Sequence, residues 1–176
     1  MLRFFAAAIL ISLLTTLPAS VEAKGASPMT FSLTSPAFGE GGEIPTRFTC
    51  DGQDVSPPLA WSEPPSGTRS LALVVDDPDA PDPKAPKMTW VHWVLYNLPP
   101  TAGQLAEAVE RKALPTGTRE GLNDWKRTGY GGPCPPVGRH RYFHRLSTPS
   151  TPFFPISAGQ PRRSSKSNAR ARPGGH

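Results

Sequence analysis

Along this chain the apolar residues come in short runs, separated by proline and glycine. FSLT, LALVV, WVHWVLYNL and RYFHRL carry β-branched and aromatic residues, and SPAFGEGGEIP, DGQDVSPP, EPPSG, DPDAPDPKAP, NLPPTAG, LPTG and YGGPCPP lie around them. Short strands cut by turn signals in this way predict an all-β antiparallel sandwich. Residues 69–77, RSLALVVDD, are apolar on both faces, which predicts a central strand buried from both sides. In 90–98, WVHWVLYNL, alternation puts Val91, Trp93 and Leu95 on one face and Trp90, His92, Val94 and Tyr96 on the other. Only 104–114, QLAEAVERKAL, has helical character, and it lacks a clear cap. The expectation is therefore a β-sandwich with at most one short helix.

The 176 residues suit a single domain, but the start of the chain reads differently. Met1-Leu2-Arg3 is basic, FFAAAILISLL follows, and Pro18 and Val21-Glu22-Ala23 complete the pattern of a secretory signal peptide over residues 1–23. The apolar run is shorter than the ~20 residues of a spanning helix. The mature protein is thus expected to be periplasmic or secreted and not transmembrane.

Charge changes the picture less than the total suggests. Of the 19 Lys and Arg, Arg3 is in the leader and Arg162, Arg163, Lys166, Arg170 and Arg172 are in the C-terminal segment. Residues 24–146 balance thirteen basic against thirteen acidic side chains. No folded face collects the excess, so a nucleic-acid partner is not expected. Cys50 and Cys134 can pair in an oxidising compartment, or remain two separate buried thiols. Neither has a second cysteine at zinc-ligand spacing, and no cofactor is expected.

Three stretches hold the candidate chemistry. Asp76-Asp77-Pro78-Asp79-Ala80-Pro81 ends a buried strand in a rigid corner, where aspartates either cap local N–H groups or hold a carboxylate at a cavity mouth. His92 is the one ionisable group in its strand, either a satisfied core residue or a ligand group whose tautomer a nearby carboxylate fixes. In the loop and strand from Gly131 to Tyr142, His140 and Tyr142 share a face that His144 joins, and Arg141 points the other way; the plain alternative is a Tyr and a His packed in a strand with Arg141 in a structural ion pair. An imidazole and a phenol side by side supply donors for a phosphate or carboxylate, with tighter binding expected when a histidine is protonated.

Taken in order, DGQDVSPPLAW, PPSGTRSLALVVDDPDAP, WVHWVLYNLP and GLNDWKRTGYGGPCPPVGRHRYFHRL resemble the phosphatidylethanolamine-binding proteins, in particular the bacterial Raf-kinase-inhibitor-like branch, over about residues 29–146. The resemblance implies a β-sandwich with a small end pocket for phosphate, acetate or a phospholipid head group. By motif, Asp77, Asp79, Pro81, His92, Pro136, His140 and Tyr142 match pocket positions. It also implies a binding protein that inhibits or modulates a partner such as a kinase or protease, and not an enzyme. The competing reading is a metal-dependent hydrolase in which Asp77, His92 and His140 hold zinc.

After Leu146 the family pattern continues as YALDT, an LPD turn, a helix and a last strand, whereas this chain reads STPSTPFFPI. Codons for LYALDT, read one nucleotide out of phase, give STPST followed by P. Residues 147–176 are therefore expected to be a frameshift product or a genuine disordered basic tail, with the C-terminal elements of the fold missing. His144 stands where the family usually has an aromatic residue.

Overall fold

The computed structural model describes residues 31–148 and 154–159. The leader over 1–23 lies outside the described residues, as does most of the segment after Thr148.

Two antiparallel sheets form. The smaller has the order β1-β2-β5, with β1 Leu33–Thr34, β2 Leu59–Trp61 and β5 Gln104–Leu105. The larger has the order β6-β4-β3-β7-β8, with β3 Leu71–Ala80, β4 Met88–Leu98, β6 Arg119–Glu120, β7 Arg141–Ser147 and β8 Phe154–Gly159. Leu33, Leu59, Trp61 and Leu105 from the first sheet meet Leu71, Leu73, Val75, Trp93, Leu95, Leu98, Tyr142 and Leu146 from the second. Phe31, Phe38, Ile44 and Phe48 fill the remaining core. Each such side chain contributes about 1.5–3 kcal/mol by leaving water.

β3 is central, as its apolar run predicts, but only alternate residues are fully covered. Leu71, Leu73 and Val75 are buried, while Ala72 and Val74 are half-buried on the outer face. The segment 104–114 is not an α-helix. Leu105 pairs with Leu59 in the small sheet, and Ala108 takes a left-handed φ of 52°. The backbone N–H groups of Ala108 and Val109 then donate to Ser56, leaving one short 3-10 turn at Arg111–Ala113. Ser56 offers these donors acceptors that a helix would have had to supply itself.

The expectation of a strandless tail after Leu146 is also corrected in part. β7 runs on to Ser147, and β8 pairs along it, with Phe143 opposite Ser157 and Arg145 opposite Pro155. An edge strand offers a row of unpaired backbone groups to any extended segment, with little demand on its side chains.

Candidate functional site

Strict alternation along β4 would turn His92 away from Trp93, yet both are buried. The register explains this. Val75 of β3 lies opposite Trp93 and Asp76 opposite Val91, so His92 is an extra residue in β4. Such a bulge re-aims side chains, and here it brings the His92 ring within 5.2 Å of the Tyr142 ring on β7. The bulged backbone is held by the loop after β6. Val91 N donates to Asp124 Oδ2 at 2.7 Å, and His92 O accepts from Gly131 N at 3.1 Å and Asn123 Nδ2 at 3.4 Å. The buried Asn123 also closes that loop, accepting from the N–H groups of Trp125 and Arg127 and donating to Gly129 O. This seats Trp125 edge-on to His92, ring centres 5.0 Å apart. A Cβ at Gly131 would fall 2.6 Å from the Trp125 ring, so only glycine fits beside it.

At this end of the sandwich lies a cavity of about 350 Å³. Asp77, Pro81, His92, Pro136, His140 and Tyr142 line it, six of the seven positions expected from the sequence. Asp79 does not. Its carboxylate accepts from the Arg141 N–H at 2.8 Å, Nε at 2.9 Å and Nη2 at 2.7 Å, and the Arg141 guanidinium holds it below its ordinary range. Asp76 is likewise taken by Arg145, at 2.6 Å and 3.3 Å. The two arginines flank Phe143 on the outer face. The structural ion pair expected for Arg141 is thus present, and its partner is a residue placed in the pocket from sequence.

Asp77 is held from both sides. Oδ1 accepts from the Asp79 N–H at 2.8 Å, and Oδ2 lies 2.7 Å from His140 Nδ1. His140 Nε2 lies 3.0 Å from Val137 O. Each ring nitrogen of His140 faces an acceptor, and only the imidazolium has hydrogens for both. His140 keeps no nitrogen free for a ligand, contrary to the donor role expected for it.

Among the groups lining the cavity, His92 Nε2 and the Tyr142 hydroxyl make no hydrogen bond of good geometry to protein, the phenol lying within electrostatic reach of the Asp77 carboxylate. His92 Nδ1 donates to Gly131 O at 2.8 Å, and burial pushes the ring below its ordinary value and towards neutrality. Burial, reinforced by Asp77, pushes the Tyr142 phenol far up, so it stays a donor. Met88, Trp90 and Trp125 supply apolar walls, and so do Ala80 and Pro135. Sequence reasoning passed over Trp90, Met88, Asn123 and Trp125. Cys134 lines the cavity too, and its disulfide to Cys50 ties the wall of Pro135 and Pro136 to the body of the domain.

The zinc reading does not fit this arrangement. Among the described residues no three His, Cys, Asp or Glu side chains converge as a metal site. Asp77 and His140 spend their polar atoms on each other and on backbone.

Comparison with known proteins points one way. The family model described as phosphatidylethanolamine-binding protein matches residues 34–171. A UPF0098 protein of Methanothermobacter thermautotrophicus is 49% identical over 116 residues, spanning 65% of this chain and 74% of that protein. A Mycobacterium tuberculosis protein named as a candidate lipoprotein, LppC, is 40% identical over 133 residues, 76% of this chain and 60% of that one. Among solved structures, a phosphatidylethanolamine-binding-protein homologue of Chlamydia trachomatis superposes with TM-score 0.60 at 39% identity, covering 67% of this chain and 74% of that chain. E. coli YbcL, described as a member of the mammalian PEBP family, superposes with TM-score 0.65 at 29% identity, covering 74% and 97% respectively.

Proposed function

Since the chain belongs to the phosphatidylethanolamine-binding protein family, we propose that it is an exported binding protein whose end cavity takes a small phosphate group, free or as a phospholipid head group. One observation carries this reading. The cavity is lined mainly by apolar side chains, Asp77 and His140 are engaged with each other, and His92 Nε2 and the Tyr142 hydroxyl are buried there without a hydrogen bond of good geometry to protein. An unsatisfied buried polar group costs about 1–3 kcal/mol, so two of them at one cavity are best explained by a ligand that pairs with both. A volume of about 350 Å³ is at the small end of ligand pockets, about 300–1,000 Å³.

The other groups suit this task. The Asp77 carboxylate would repel an anion if it stood alone, but its Oδ2 is engaged by His140 Nδ1 and its Oδ1 by the Asp79 N–H. Asn123, Asp124 and the bulge at His92 are positioning features, holding the imidazole beside Tyr142 in the cavity lining. Export is supported by the leader pattern over 1–23 and by the lipoprotein naming of the mycobacterial relative.

Tyr142→Phe tests the reading. The hydroxyl makes no hydrogen bond of good geometry to protein, so its loss should leave the thermal midpoint unchanged or raised. A hydrogen bond to a charged ligand contributes about 1.5–3 kcal/mol, so phosphate affinity should fall about ten- to a hundredfold. Unchanged affinity in this variant would contradict the proposal.

A further inference from the structure

Resting on that reading, we propose that the cavity takes its oxyacid in a protonated, hydrogen-bond-donating form, the monoanion of a phosphate monoester and not the dianion. Each binding event then carries one proton into the site, held between a ligand oxygen and His92 Nε2.

The hydrogen bonds of His92 lead to this. Its Nδ1 faces the Gly131 carbonyl at 2.8 Å, an oxygen that can only accept, so Nδ1 carries the hydrogen. In the neutral ring the other nitrogen is then a bare acceptor. The floor thus presents one lone pair, at His92 Nε2, and one O–H, at Tyr142. A phosphate dianion has only acceptor oxygens. It satisfies Tyr142 and sets lone pair against lone pair at His92. The monoanion has both parts, a P–O–H for Nε2 and an unprotonated oxygen for the phenol.

Charge gives the same result. No lysine or arginine is among the residues lining the cavity. From β3, His92 meets the charges of Asp77 and Asp76. From β7 it meets Tyr142, held as a neutral phenol, and His144, held neutral by burial. From the loop after β6 it meets Trp125 and the backbone of Gly131 and Gly132, none of them charged. Asp77 is engaged by His140, and Asp76 is paired with Arg145 on the outer face. Nothing at the floor compensates a second ligand charge, and desolvating an uncompensated charge is costly.

The test is calorimetry of the full chain with phenyl phosphate at pH 7 and 8, in two buffers of different ionisation enthalpy. A phosphate monoester has its second pKa at about 6, so the free compound is chiefly the dianion at both. The expected result is uptake of about one proton per ligand, with affinity about tenfold weaker at pH 8 than at pH 7. Phenyl sulfate, of the same shape but unable to carry the proton, should bind at least tenfold more weakly than phenyl phosphate when the phosphate affinity is referred to its monoanion, about a tenth of the free compound at pH 7. Phosphatidic acid vesicles in the same pH series separate a lipid source from a soluble one, and pelleting with them must show the same proton dependence. Phosphate binding without proton uptake and with pH-independent affinity overturns this inference and leaves the binding reading standing. Absence of any phosphate binding from pH 6 to 8 overturns both.

Discussion

His140 Nδ1 lies 2.7 Å from Asp77 Oδ2, with both side chains almost fully buried. This contact joins the strand end carrying DPDAP to the strand entry carrying HRY, 63 residues apart in the chain. It sets one wall of the cavity.

Breaking it should be costly. Removing one partner of a buried ion pair typically destabilises by about 3–5 kcal/mol, because the other is left uncompensated. Asp77→Ala should lose about that much in urea unfolding. Asp77→Asn keeps an acceptor for the Asp79 N–H and should lose less. A loss below about 1 kcal/mol for Asp77→Ala would mean that the pair is not formed.

His144 makes the fold acid-sensitive. It is fully buried, both ring nitrogens lack a protein partner, and burial pushes its pKa down to about 3. The folded state therefore holds a neutral ring where the unfolded chain, below its ordinary value of 6.5, binds a proton. Acid favours the form that binds more protons, so stability is lost as pH falls from about 6.5 towards about 3. At about 1.4 kcal/mol per unit, the penalty near pH 4.5 is about 3 kcal/mol. His144→Phe, which retains the ring packing against Phe38, should flatten thermal stability across this range. An equal acid loss in wild type and variant would assign it elsewhere.

The Cys50–Cys134 bridge spans 84 residues. In the chain-entropy model such a loop stabilises by about 4–5 kcal/mol. Replacing both cysteines by serine should lower the unfolding free energy by up to that amount. Because Cys134 lines the cavity, the same variant should also weaken phosphate binding under conditions where it remains folded. Affinity equal to wild type would show that the wall keeps its place without the bridge.

Much of this arrangement could be read along the chain, and the exceptions have definite causes. The short apolar runs gave the antiparallel sheets, and period two placed Tyr142, His144 and Leu146 together correctly. His92 escaped the same rule because register slips by one residue where β4 bulges, and only the pairing partner records that. Asp77 and Asp79 look alike in DPDAP, yet one turns to His140 and the other to Arg141, a choice made by β7 and not by the local sequence. Trp125 sits in a loop whose polar residues suggest nothing but solvent, until Asn123 is seen to fold that loop against β4. The 104–114 segment had helical composition but found its backbone partners on Ser56. β8 pairs through its backbone, and composition alone gave no sign of it.

The central claim is that His92 Nε2 and the Tyr142 hydroxyl together receive one oxyanion. Histidine-selective nitrogen NMR of the full chain during a phosphate monoester titration at pH 6 reads it most directly. The account predicts a saturable shift at His92 Nε2, little change at His144, and loss of the response in Tyr142→Phe. A titration that leaves His92 Nε2 unmoved while phosphate binds would place the ligand elsewhere and contradict the account.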